Sequence, residues 1–397
     1  RTGRPLRGPA HHLCGALRCE GEAPAFFSSP GRTEIVGNHT DNNNGLVLAA
    51  AVTLDTLAAA APTGDGIITL YSQGYDKPFV VDTRDLEKKE AEKNTTDALI
   101  RGVCRKLHDM GYAIGGFNAA VTSRVLSGSG LSSSAAFEVL LVCILDGLYN
   151  GSILDGVTRA KISQWVENNY FGKPSGLMDQ SACSIGGLVG IDFKYADPKI
   201  GAYSFDFAAR GFSLVVLATN SSHDDLTDEY AAIPREMRAV AEALGGKVLR
   251  DVKVEQLLER LPEVRQKTSD RAVLRALHYY DENERVRAMY TALENGDLDA
   301  FLDNVIRSGE SSWKLLQNLY VGGSTEQSLA LACALSERML RGSGAWRVHG
   351  GGFAGTILAF VPHYKLAAYV EKMNAVFGAG ACTVLDIRPV GAKKVEL

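Results

Sequence analysis

Gly31 to Gly45 reads GRTEIVGNHTDNNNG, a run that sets Arg32, Glu34, His39 and Asp41 among four asparagines within fifteen residues. An Asx-rich turn after a strand would account for the asparagines. It would not account for Arg32, His39 and Asp41 together. The run is followed by short apolar segments, GLVLAAAVTLDTLAAAA, GIITLYSQG and PFVVDT, divided by Gly, Pro and Asp. They predict strands from about residue 26 to 83. TTDALIRGVCRKLHDMGY then shows helical spacing with Thr95 or Thr96 as N-cap, and GGFNAAVTSRVL returns to strand.

Upstream, residues 1–25 are Arg-rich, lack the apolar core of a secretory signal and read as a poorly ordered segment rather than a transit peptide. Cys14 and Cys19 lie near His11 and His12, but the second ligand pair of a zinc site is missing. Seven cysteines, an odd number mostly in apolar company, point to a reduced, cytoplasmic protein. A net charge of −4 with scattered basic residues gives no footprint for a nucleic-acid backbone. No segment approaches the roughly 18 apolar residues of a membrane helix.

With 397 residues the chain suggests two domains sharing a cleft, 26–205 and 206–397, divided where residues 192–203 turn polar. The second half alternates polar helices (229–244, 254–261, 271–296, 324–341) with a late hairpin, WRVHGGGFAGTILAFVP. The fold class is therefore α+β. Nothing in the pattern calls for an obligate dimer, so a monomer is expected.

Three loops carry chemistry. In SGSGLSSSAA, Gly128 and Gly130 allow close backbone approach, and Ser132, Ser133 and Ser134 offer hydroxyls and N–H groups where a helix begins. A helix N-terminus of this kind is an anion site, which makes Ser127, Gly128, Ser129, Gly130, Leu131, Ser132, Ser133 and Ser134 candidates for a nucleotide's phosphates. No GxxxxGK[ST] occurs, so any phosphate site works without a P-loop lysine. HGGGFAGT (His349–Thr356) formally contains GxGxxG, yet a strand follows it and only forty-two residues remain after Gly355, so a dinucleotide fold is excluded. In ENNYFGKPSGLMDQSA, Asp179 sits in what reads as a Gly-bounded loop, where a carboxylate can be held partly desolvated.

In this order and spacing the loops resemble the three motifs of the GHMP small-molecule kinases, and GRTEIVGNHTD narrows the resemblance to the galactokinase family. The matches run from about Phe26 to Phe360. The resemblance implies two domains, an N-terminal mixed sheet with helices like ribosomal protein S5 and a C-terminal antiparallel sheet with helices, with the active site in the cleft between them. It implies ATP-dependent phosphorylation of the anomeric C1 hydroxyl of galactose or a closely related monosaccharide.

In that family the opening run presents sugar-binding groups. His39 and Asp41 would meet ring hydroxyls, Arg32 would sit beside the reacting hydroxyl and orient Asp179, the catalytic carboxylate, and Gly176 and Tyr230 would border the sugar. Ser134 with Glu167, twelve residues before Asp179, would hold Mg²⁺ for ATP. Four departures stand out: Asn38 replaces a Glu expected near the C6 hydroxyl, Glu34 stands where the family has Asn, Asn42 replaces Tyr, and Ala354 replaces Gly. An amide at 38 tolerates an anionic neighbour, which opens galacturonate or arabinose as alternatives to galactose. A second class of reading, a sugar- and nucleotide-binding regulator without turnover, is set against the complete chemical set Arg32, Ser134, Glu167 and Asp179.

Overall fold

In a computed structural model the structure describes residues 23–125, 130–173, 175–219 and 226–396. Eight strands form the first sheet, β1 (Ala25–Val36), β2 (Leu46–Pro62), β3 (Ile67–Ser72), β4 (Phe79–Asp82), β5 (Phe117–Ser123), β6 (Leu188–Asp192), β7 (Lys199–Tyr203) and β12 (Lys393–Val395). Their order is β12-β1-β2-β5-β3-β4, with β6 between β2 and β7, and β3 alone runs parallel to its neighbour β5. The second sheet is antiparallel in the order β11-β8-β10-β9, from β8 (Phe212–Ala218), β9 (Ala345–His349), β10 (Thr356–Pro362) and β11 (Cys382–Leu385).

The helices are α1 (Thr96–Asp109), α2 (Ser133–Tyr149), α3 (Gly156–Val166), α4 (Met178–Ile185), α5 (Thr227–Ala243), α6 (Val254–Glu259), α7 (Leu261–Lys267), α8 (Asp270–Asn295), α9 (Leu298–Ser311), α10 (Ser328–Leu340) and α11 (His363–Phe377). Thr95 caps α1, its hydroxyl accepting from the Ala98 N–H, as the sequence predicts. The α+β class with a mixed first sheet and an antiparallel second one is the architecture found.

The two halves share more than a cleft. The final strand β12 returns to pair with β1, and the largest apolar cluster runs from Phe27 through Phe301 to Phe360, with the Phe207 ring 4.9 Å from Phe301 and 5.2 Å from Phe360. Burial of this kind holds the sheets in one register about the cleft.

Three differences from the sequence reading bear on the site. Asp179 does not sit in a loop: it is the second residue of α4, whose eight residues between Leu177 and Gly186 bury Gln180, Ser181, Ala182, Cys183 and Ser184. Leu298–Ser311 and His363–Phe377 are helices that the pattern did not mark. Between about residues 154 and 169, where the helical spacing predicts one continuous helix, the α-helical part ends at Val166 and the chain continues as one wider turn, Glu167–Phe171. That turn begins on a site residue, a common position for such irregularities.

Candidate active site

Strand β1 presents alternate side chains to opposite faces, so Arg32 and Glu34 leave it on the same side. Arg32 takes both oxygens of Asp179, Nε to Oδ1 at 2.8 Å and Nη2 to Oδ2 at 2.9 Å, across 147 residues of chain. Its third arm donates to the Gly130 carbonyl, which ties the pair to the Gly/Ser loop. Burial drives the Asp179 carboxyl upward, but the Arg32 charge, its hydrogen bonds and the Ser132 hydroxyl outweigh burial and leave it below the usual carboxylate value. Asp179 is therefore an ionised carboxylate with 31% of its side chain exposed.

Ser132 holds a left-handed backbone, φ 56°, just before α2, and its hydroxyl donates to Asp179 rather than capping the helix. A non-glycine residue in this region is a local cost that marks functional sites. With no side-chain cap, the first-turn N–H groups of the seventeen-residue α2 stay available to an anion. Leu131 is 2% exposed and serves through its backbone, its carbonyl accepting from the Arg32 N–H at 3.0 Å. Gly31 must be glycine here, since a Cβ would come within 2.9 Å of that carbonyl. Ser133 and Ser134 open α2, Ser134 exposed. Ser127, Gly128 and Ser129 lie outside the described residues.

Glu167 is 2% exposed, and its carboxylate accepts from Gln180 Nε2 at 2.7 Å and Lys173 Nζ at 3.2 Å. The same Gln180 amide donates to Glu138 at 3.2 Å. Burial, with Glu167 close by, pushes the Glu138 carboxyl well above its ordinary value. Glu138 Oε1 and Gln180 Oε1 have no partner among the described residues, so this corner holds unspent acceptor oxygens. Among the described residues no group of three or more His, Cys, Asp or Glu could hold a metal by itself. Mg²⁺ asks for less, one or two protein oxygens beside phosphate and water, and by their chemistry a Ser134 hydroxyl and a Glu167 carboxylate would suit it.

The sugar motif closes the other side. Asp41 opens a 3-10 turn and is pushed up by burial and by nearby Glu34, with His39 opposing. Gly176 lies beside it, a Cβ there coming 3.4 Å from Asp41 Oδ2. His39 Nε2 is 2.9 Å from the Gly351 carbonyl, and Tyr230 donates to the Gly352 carbonyl at 2.8 Å with its ring against Gly351 and Phe353. Tyr230 thus supports the glycine loop His349–Thr356, which in turn lines the sugar motif.

Asn38 departs from expectation. It is 1% exposed, its Nδ2 donating to Glu34 Oε1 at 3.0 Å and Gly350 O at 2.6 Å, its Oδ1 accepting from Asn318 at 2.8 Å and Ser312 at 3.4 Å. An amide has two donors and two lone pairs, and all are spent on protein. Asn38 is therefore braced within the protein through its whole amide.

Several residues that position the site went unmarked in the sequence. From α8, Glu282 Oε1 accepts the Gly37 N–H at 3.0 Å, His278 Nε2 donates to the Asn38 carbonyl at 2.9 Å, and Asn283 accepts the Leu46 N–H at 2.8 Å. Their spacing of 278, 282, 283 on one helix face was the available signal. Arg347, fully buried, donates to Glu34 at 2.9 Å and Ile35 O at 2.6 Å.

Burial holds His349 down to about 3 and His278 down to about 4. Both are neutral when folded and bind a proton near pH 6.5 when unfolded, so the unfolded state takes up more protons as pH falls. Each contributes stability that is full above pH 6.5 and is lost toward pH 4, about 2 kcal/mol per histidine between pH 7 and pH 5. Asp41 and Glu138, pushed upward, work in the opposite sense. The expected result is therefore a difference: His349→Gln flattens the fall in urea-unfolding free energy from pH 7 to 5 by about that amount. An unchanged slope would contradict it.

A galactokinase galactose-binding signature matches residues 18–62 and the GHMP kinase N-terminal domain matches residues 98–187. The galactokinase of Streptomyces coelicolor is 32% identical over 361 residues, 90% of this chain and 90% of that protein. The human galactokinase is 31% identical over 386 residues, 94% of this chain and 92% of its own length. Among solved structures, Lactococcus lactis galactokinase complexed with galactose superposes with a TM-score of 0.82 at 22% identity, covering 98% of this chain and all of that one. The mevalonate kinase of Methanococcus jannaschii follows the same fold at a TM-score of 0.65 and 15% identity, over 93% and 99% of the two chains. No helix among the described residues is long and apolar enough to cross a membrane. Matched in both motif and domain, and more than 30% identical to such relatives over nine-tenths of its length, the chain belongs to the galactokinase family of the GHMP kinases.

Proposed function

We propose that the protein transfers the γ-phosphoryl group of ATP to the anomeric C1 hydroxyl of galactose. The observation that carries this reading is the Arg32–Asp179 fork, tied through Gly130 to the open N-terminus of α2. A carboxylate and a helix N-terminus then face each other where an acceptor hydroxyl and a phosphate would meet. Phosphoryl transfer asks little covalent chemistry of a protein and much positioning and charge.

Asp179 accepts the C1 hydroxyl proton. Because its carboxyl lies below the usual range, it is a weak base, and the proton moves late, once transfer has made the hydroxyl acidic. Arg32 fixes the carboxylate's orientation and offsets charge on the acceptor oxygen. His39, Asp41 and the backbone at Gly176 hold the ring. The N–H groups at Ser132 to Ser134 take the phosphates, and Ser134 with Glu167 would hold Mg²⁺, which when bound would neutralise phosphate charge.

A coupled ADP-release assay with Mg-ATP against galactose, galacturonate, arabinose, N-acetylgalactosamine and glucose tests the reading. Galactose is expected to turn over fastest. No sugar-dependent ADP from any of the five would overturn it and favour a binding regulator.

A further inference from the structure

Glu34 is a carboxylate in the cleft wall for which the reaction above has no use. It follows Arg32 by two residues on the same face of β1, one strand repeat of about 7 Å away. Its Oε1 is spent on Arg347 Nη2 at 2.9 Å and Asn38 Nδ2 at 3.0 Å. Among the described residues nothing donates to Oε2, yet that oxygen is not sealed in: it is absent from the buried atoms that lack a partner, and the side chain keeps 8% exposure against none for Arg347. The charge of Glu34 reaches both Arg32 and Asp41, which places it with the groups that line the sugar side.

Arg347 and Asn38 thus aim the carboxylate. They hold one oxygen and leave the other partly exposed, with no donor to it among the described residues. The buried amide expected to meet the sugar serves instead to orient a charged acceptor four residues upstream, so the pocket keeps its carboxylate.

We propose that Glu34 is a specificity-determining substrate contact, its Oε2 accepting a hydrogen bond from a sugar hydroxyl remote from C1 and its charge selecting neutral sugars over uronic acids. The distance along β1 from Arg32 is what removes the contact from C1. The selection follows from charge: of the carboxylates Glu34, Asp41 and Asp179, Arg347 is committed to Glu34 and Arg32 to Asp179, which leaves Asp41 without a guanidinium partner among the described residues. A further carboxylate on the substrate would meet a surplus of negative charge in a poorly solvated pocket. Galacturonate, which Asn38 read alone would admit, is then disfavoured. The inference rests on the sugar-binding reading of the cleft.

Calorimetric binding of galactose and its four monodeoxy analogues to the full chain, without nucleotide, tests it. Glu34→Gln is expected to weaken galactose binding about 10- to 100-fold, the range of a hydrogen bond to a charged group. Wild-type protein should lose a similar factor on one deoxy sugar, and the variant should bind that sugar and galactose equally. Because Glu34→Gln leaves Arg347 without its charge partner, Glu34→Asp runs beside it; it keeps the pair but draws the free oxygen back, and should also weaken galactose while sparing the same deoxy sugar. Galactose affinity within twofold of wild type in both variants, or an equal loss on every analogue, would overturn the proposal. Binding through Glu34 without ADP release would sink the kinase reading alone, and normal turnover with indifferent Glu34 variants would sink this one alone.

Discussion

Asp179→Asn is expected to lower kcat by about 10³-fold, the range for loss of a general base and of charge stabilisation at the reacting oxygen. Galactose affinity, read by calorimetry, should move by less than about threefold, because in the proposed site His39, Asp41 and the backbone at Gly176 would hold the ring without it. The substitution keeps shape and removes charge. It also turns one N–H of the new amide against an Arg32 N–H, where two charge-assisted bonds of 2.8 and 2.9 Å now stand. Folding stability should fall by about 1–3 kcal/mol, with the fold retained. In the wild type, the depressed carboxyl adds no acid limb to kcat between pH 5.5 and 8. Turnover within tenfold of wild type in Asp179→Asn would remove Asp179 from the chemistry.

The strands, the late hairpin and the Thr95 cap were legible because each is written in local alternation or in one capping residue. Helix α4 was not. Eight residues rich in Ser and bounded by glycines carry little helical preference, and the helix exists because Cys183 and Ala182 are buried completely against the first sheet. Helix α9 was hidden by Gly296 and Asp297, which read as a break, though Asp297 is its N-cap, accepting the Ala300 N–H at 3.0 Å.

In the site, motif residues could be named singly but not their partners. Asn38 finds Asn318 across 280 residues and Glu34 finds Arg347 across 313, pairings that no local pattern records. At position 38 an amide in such a motif reads as a ligand group, and its four protein partners, which show it as a brace, are not written in the local sequence.

Arg347→Met is expected to cost about 3–5 kcal/mol of folding free energy, the range for removing one partner of a buried ion pair. Arg347 is wholly enclosed, and besides Glu34 it satisfies the carbonyls of Ile35 at 2.6 Å and Val348 at 2.8 Å, joining β1 of the first sheet to β9 of the second. Methionine fills much of the space but leaves the Glu34 charge held by Asn38 alone and the Ile35 carbonyl without this donor. Arg347→Lys keeps the charge without the fork and should fall between the two. The double variant Glu34→Gln with Arg347→Met removes both charges, so its loss should be smaller than the sum of the single losses by about 1–3 kcal/mol. Urea unfolding at pH 7.5 reads the wild type, the three single variants and the double variant. A loss below about 1 kcal/mol in Arg347→Met, or strict additivity in the double variant, would mean that water rather than Arg347 stabilises the Glu34 side chain.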